Sequence, residues 1–179
     1  MKPIFDGKTL SGWDGDPRLW KVEDGMIVGS TEGVKLTRNS FLIYKDREFG
    51  DFTLTAEVKL RNHNSGIQFR SVASEGWVVK GYQADMAENS WWGSIYEEGG
   101  RRGILVNGWK GKAETVVKPG DWNKVEIRCK GESIQVRING MLTAELLDST
   151  RLKGVIALQV HQGPPMQVWF RNFEMNATD

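Results

Sequence analysis

From Phe52 to Leu60 the chain alternates without a break: Phe52, Leu54, Ala56, Val58 and Leu60 against Thr53, Thr55, Glu57 and Lys59. Only an extended chain sends every second side chain to one face, so the pattern predicts a half-buried strand. Val125, Ile127 and Cys129 repeat it within Trp122 to Lys130, and Ile134, Val136 and Ile138 follow Gly131-Glu132. Two dipeptides predict tight hairpins. Asp24-Gly25 sits between Trp20–Val22 and Ile27–Val28, and Asn139-Gly140 leads into Met141 to Glu145; both central residues of the type I′ primed turn take positive φ, which these types tolerate. Phe41 to Tyr44 is an apolar run expected as a buried strand, and Gln167 to Phe173 closes the series after Gly163-Pro164-Pro165. No stretch holds a 3.6-residue period over the length of a stable helix, although Leu146 to Lys153 leaves room for one helical turn. About a dozen short strands with turn signals every ~8–12 residues predict an all-β sandwich or barrel. One domain is expected over residues 1–179.

Three strand-like runs carry an unusual polar face. In Gly66 to Ser71, Ile67 and Phe69 share one side, leaving Gln68 and Arg70 on the other. In Gly81 to Met86, Tyr82, Ala84 and Met86 oppose Gln83 and Asp85; in Val155 to His161, Ile156, Leu158 and Val160 oppose Gln159 and His161. A merely solvated face would carry Lys, Glu and Thr. Glutamine, arginine, aspartate and histidine are short-range hydrogen-bonding groups, and Trp91 and Trp92 lie nearby. This combination suits recognition of hydroxyls, and the stretch from His63 to Glu97 is expected to hold a carbohydrate site. Because Trp91 and Trp92 are adjacent, at most one is expected to stack on a sugar while the other enters the core. His63 and Asn64 precede the turn signal Ser65-Gly66, where a turn role is the plainer reading. Glu97 to Gly108, with Gly99-Gly100-Arg101-Arg102-Gly103, is expected as a mobile loop over the site.

Composition narrows the partners. The 24 basic residues against 23 acids give a net charge of +1, which argues against nucleic acid or an anionic membrane as the main partner. The 8 tryptophans and 21 glycines fit many strands, tight turns and stacking surfaces. Cys129 is the single cysteine and shares the phase of Val125 and Ile127, so a buried structural thiol is expected. No apolar run approaches a membrane span. No signal peptide is read, since Lys2 is followed by Pro3, Phe5 and Asp6; cytoplasmic residence and a mature exported terminus both stay open. The oligomeric state is not legible.

Several segments resemble one family, the 3-keto-disaccharide hydrolase-like domains. They are Phe5-Asp6-Gly7-Lys8-Thr9-Leu10 with Gly12-Trp13, Trp20-Lys21-Val22-Glu23-Asp24-Gly25, Asn64-Ser65-Gly66-Ile67-Gln68-Phe69-Arg70, Gly81-Tyr82-Gln83, Ile95-Tyr96, Leu158-Gln159-Val160-His161 and Phe170-Arg171-Asn172. Their order and spread over nearly the whole chain carry the resemblance. It implies a concanavalin A-like jelly-roll β-sandwich of two antiparallel sheets with a polar concave face, and bacterial export to the periplasm or beyond. It also implies cleavage of 3-keto glycosides. Two positions depart from the family pattern: Gln83 stands where relatives commonly carry glutamate, and Glu97-Glu98 follow Tyr96 where relatives carry glycine.

Such chemistry needs a base near the operating pH, an electrophile on the ketone oxygen and a proton donor to the leaving group. His161 is the expected base, Arg70 the electrophile, and Asp85 or Glu97 the acid. An Asp85–Arg70 ion pair is expected to hold the guanidinium in place. Gln68, Gln83, Gln159, Tyr96, Trp91, Trp92 and Asn64 are the expected sugar-binding residues. No cofactor is expected; a divalent metal on Asp85, Glu97 and His161 is the weaker alternative, without a close-spaced ligand motif. A non-catalytic lectin-like module would use the same face. The Glu-x-Asp-x-x-Glu pattern of retaining glucanases on this fold is absent.

Overall fold

The computed structural model describes residues 3–178; Met1, Lys2 and Asp179, at the ends of the expected domain span, lie outside them. The strands in chain order are β1 (Trp13–Asp14), β2 (Trp20–Glu23), β3 (Met26–Ser30), β4 (Ser40–Tyr44), β5 (Phe52–Arg61), β6 (Asn64–Ser74) and β7 (Val78–Ala87). They continue as β8 (Ser90–Glu98), β9 (Ile104–Val106), β10 (Asn123–Lys130), β11 (Ser133–Ile138), β12 (Met141–Leu147), β13 (Val155–Val160) and β14 (Gln167–Ala177). They form two seven-stranded antiparallel sheets, ordered β1-β4-β13-β6-β7-β8-β9 and β12-β11-β10-β5-β14-β3-β2. This is a sandwich, one of the two architectures that the alternation allowed, in the jelly-roll form that the resemblance implied.

Between the sheets lie the alternating residues of β5, with Ile67 and Phe69, Tyr82, Ala84 and Met86, Ile127 and Cys129, and Ile156 and Leu158, all buried. Each such large side chain taken from water contributes on the order of 2 kcal/mol. Both predicted hairpins form, with Asp24 and Gly25 at φ 52° and 76° and Asn139 and Gly140 at 49° and 88°.

Three expectations need correction. Leu146 to Lys153 holds no helical turn; the one short helix among the described residues is a 3-10 turn at Ala113–Thr115. Glu97 to Gly108 is not a free loop, because β9 pairs with β8 and leaves only a short connection at Gly99 to Gly103. Trp122, which its place in the strand pattern of Trp122 to Lys130 would put in the core, instead sits half-buried on the outside of the second sheet, with the Arg171 guanidinium 3.8 Å above its ring. No helix of the described residues is long and apolar enough to cross a membrane.

Candidate functional site

The first sheet sets β13, β6, β7 and β8 side by side. Ala157 pairs with Gln68, Gln68 with Gln83 and Gln83 with Tyr96, so strands distant in sequence share one row. Their inward residues fill the core. Their outward residues form a polar floor that is itself almost dry: Gln68, Gln83 and Gln159 are no more than 2% exposed and Asp85 is 7% exposed.

One hydrogen-bonded chain satisfies this floor. Ser71 Oγ donates to Gln68 Oε1 (2.8 Å) and Gln68 Nε2 to Gln83 Oε1 (2.7 Å). Gln83 Nε2 then donates both to Asp85 Oδ1 (3.0 Å) and to Gln159 Oε1 (3.3 Å). Gln159 Nε2 donates to Glu98 Oε2 (3.2 Å), which also accepts from Asn39 Nδ2 (3.0 Å). Buried amides need partners, and here each supplies the next. Gly66 makes the packing possible, since a Cβ there would lie 2.5 Å from the Gln83 side chain.

Above the floor is a hollow of about 290 Å³. Gln83, Asp85 and Gln159 form its base, and Tyr96, Glu98, Asn39, Asn64, Trp91, His161 and Ile104 its walls. That volume lies at the small end of ligand pockets, which run ~300–1,000 Å³. No lysine or arginine lines it, so its chemistry fits a neutral polyhydroxy ligand better than an anionic one. Asn64 Oδ1 is buried with no hydrogen-bond partner, an acceptor that a ligand hydroxyl would satisfy.

Burial pushes the Asp85 carboxyl up to about 7, and the nearby Glu98 charge adds to the rise. The N–H groups of Gln83 and Met86 pull the other way without winning. A carboxyl poised there can hold or release a proton at neutral pH. Tyr96 is raised chiefly by burial and then by Glu98 and Asp85, which keeps its hydroxyl protonated as a donor.

The structure therefore gathers Asp85, Gln83, Gln159, Tyr96, Trp91, Asn64 and His161 around one hollow. Four other expected site residues are elsewhere. Arg70 is the clearest correction. Its φ is 46° at a β-bulge between Phe69 and Val72, and the extra residue flips the parity of the strand. Ser71 takes the outward place, and the fully buried Arg70 guanidinium instead donates to the carbonyls of Gly50 (2.8 and 3.0 Å) and Gly131 (2.6 Å). Asp85 consequently has Gln83, not Arg70, as its partner. Glu97 points off the outward row and accepts from Arg102 Nε (2.7 Å), which holds its carboxyl below the ordinary range. The metal set Asp85, Glu97 and His161 does not assemble. Trp92 is core, 4% exposed, whereas its neighbour Trp91 is 36% exposed beside the hollow. Gln68 lies under the floor and holds Gln83 rather than facing the hollow.

Sequence reasoning passed over Glu98, Asn39 and His63. Continuing the period of two from Tyr96 points to Glu98, not Glu97. Asn39 gave no signal, because a loop residue has no phase. His63 was read as a turn residue, yet its Nε2 lies 3.0 Å from His161 Nδ1.

The family model described as the 3-keto-alpha-glucoside-1,2-lyase-like domain matches residues 1–176. Among solved structures, a Parabacteroides distasonis ATCC 8503 protein with the provisional description of glycosyl hydrolase is similar at 24% identity and TM-score 0.74, covering 99% of this chain and 98% of its own. The carbohydrate binding module CBM66 from Bacillus subtilis is similar at 16% identity and TM-score 0.70, covering 93% of this chain and 96% of its own. Alginate lyase A1-II' is similar at 13% identity and TM-score 0.61, covering 97% and 96%. These likenesses concern the fold. No curated protein matches the chain in sequence.

Proposed function

Because the chain belongs to the 3-keto-alpha-glucoside-1,2-lyase-like domain family, we propose that it cleaves a neutral glycoside whose sugar carries a ketone at C3. The ketone acidifies the C2 proton. A base removes it, the C2–H electron pair forms the C1–C2 double bond, and the C1–O bond breaks as the leaving oxygen takes up a proton. Water added across that double bond returns a proton to C2 and completes a net hydrolysis.

The observation that carries this reading is the Asp85 carboxyl, buried at the base of the hollow and pushed up to about 7. It takes the role of base, in place of the His161 expected from sequence, because it combines that tuning with a place in the floor. Near neutral pH it is part carboxylate and accepts the C2 proton, then returns it as water adds. Tyr96, kept protonated, faces the same hollow and serves the leaving oxygen. The glutamine chain acts on the acids rather than on the sugar: the Gln83 and Gln159 N–H groups are spent on Asp85 and Glu98. They are positioning residues. Trp91 offers an exposed indole for the apolar face of a ring.

The test is release of aglycone from a 3-keto glycoside and from its unoxidised parent. Release from the first alone, abolished in Asp85→Asn, supports the reading. Binding of both without release supports the lectin-like alternative, which the largely amide-built floor also favours.

A further inference from the structure

His63 and His161 are the only two histidines of the chain. They come from the turn between β5 and β6 and from the end of β13, and meet edge to face with ring centroids 4.6 Å apart and planes at 82°. His63 Nε2 lies 3.0 Å from His161 Nδ1 and 2.8 Å from the Gln162 carbonyl oxygen. His161 Nδ1 lies 2.7 Å from that same oxygen. Protons cannot satisfy all three edges of this triangle. If only His63 Nε2 is protonated, the bare His161 nitrogen faces a carbonyl lone pair. If only His161 Nδ1 is protonated, the bare His63 nitrogen does. If both are protonated, two hydrogens oppose each other between the rings.

A cation satisfies all three at once. We infer that His63 Nε2, His161 Nδ1 and the Gln162 carbonyl oxygen form one face of a divalent metal-ion site. Ligands about 2.0–2.2 Å from an octahedral ion stand roughly 2.8–3.1 Å apart at right angles, close to the separations found. Two imidazoles favour a zinc-, cobalt- or nickel-type ion over magnesium or calcium. Among the described residues no three His, Cys, Asp or Glu side chains converge on a metal; this site differs in taking a main-chain oxygen as its third ligand. The backbone is set for it. Asn62 and His63 both hold positive φ, 64° and 56°, a conformation uncommon outside glycine, and it brings the His63 ring onto His161.

With three protein ligands the ion keeps open positions for water or a ligand oxygen. His161 lines the candidate site and His63 the adjoining hollow, with Asn64 and Trp91 common to both. Resting on the reading of the site as one for 3-keto glycosides, the ion would polarise the ketone oxygen, the task that Arg70 is turned away from.

Calorimetric titration of untagged, chelator-stripped protein with Zn²⁺ and Co²⁺, with Mg²⁺ alongside, tests the site without substrate. One Zn²⁺ or Co²⁺ per chain is expected, weakened about tenfold or more in both His63→Gln and His161→Gln, while Mg²⁺ binds far more weakly. Melting curves show whether each variant is folded, and the Co²⁺ absorption band reports imidazole ligation in the wild type. Absence of stoichiometric binding by folded wild-type protein overturns the site, as does equal binding by a folded His63→Gln variant. Aglycone release separates the two readings: turnover that survives complete stripping removes the ion from the reaction, whereas a bound ion without turnover on any 3-keto glycoside contradicts the functional reading alone.

Discussion

Gln83 donates to Asp85 across 3.0 Å on the outward face of one strand, and that bond is not enough to hold the carboxylate ionised. The Asp85 carboxyl reaches about 7 in the folded chain against 3.8 for the free group, because burial outweighs its two N–H donors. The folded state therefore prefers the neutral form. Asp85 costs nothing below pH 4, costs progressively more as pH rises towards 7, and carries its full penalty above that. The gap corresponds to roughly 4 kcal/mol. Asp85→Asn is expected to leave stability unchanged near pH 4 and to raise it at pH 8 by an amount up to that order. Urea unfolding at the two pH values reads this directly, and equal effects at both would contradict the buried, neutralised carboxyl.

Gly66→Ala tests the floor itself. A Cβ at 66 would lie 2.5 Å from Gln83, so the amide must move and its bonds to Gln68, Asp85 and Gln159 loosen. The expected loss is about 1–3 kcal/mol, the range for forcing atoms into a packed interior, with a fall in turnover larger than that of an alanine elsewhere on β6. Unchanged turnover would mean that the glutamine chain does not position Asp85.

Arg70 is expected to matter for folding alone. Its guanidinium donates to the Gly50 and Gly131 carbonyls and pairs with Asp51, and removing this fully buried, bonded charge takes all of those bonds away. Arg70→Met is predicted to cost about 3–5 kcal/mol, with turnover per folded molecule unchanged. A turnover defect at full folding would return Arg70 to the site.

Two adjacent acids on β8 give a parity test. Glu98 faces the hollow and accepts from Gln159 and Asn39, whereas Glu97 is held by Arg102. Glu98→Gln is expected to lower kcat/KM by about tenfold or more, equivalent to ~1.4 kcal/mol, and Glu97→Gln by no more than about twofold. Steady-state kinetics on the two variants decides it, and the reverse order would overturn the placement of β8.

How legible this was varies with the kind of signal. Alternation is a local property, so β5 and β10 and their inward faces were readable, and the Asp24-Gly25 and Asn139-Gly140 turns were fixed by residue type. The shared polar row of Gln83, Asp85 and Gln159 was readable for the same reason. Arg70 was lost because parity carries through a strand only until a bulge, and nothing in Phe69-Arg70-Ser71 announces one. The Gln83–Gln159 bond, the burial of Gln68 and the meeting of His63 with His161 depend on which strands become neighbours. That is a non-local property, and spacing along the chain does not contain it.

The central claim is that Asp85 moves the proton. The direct measurement is the pH dependence of aglycone release from a 3-keto glycoside, compared between the wild type and Asp85→Asn. A wild-type rate that climbs as pH passes about 7, with release lost at every pH in the variant, is the predicted result. A variant that releases aglycone at the wild-type rate with the same pH profile would contradict the account.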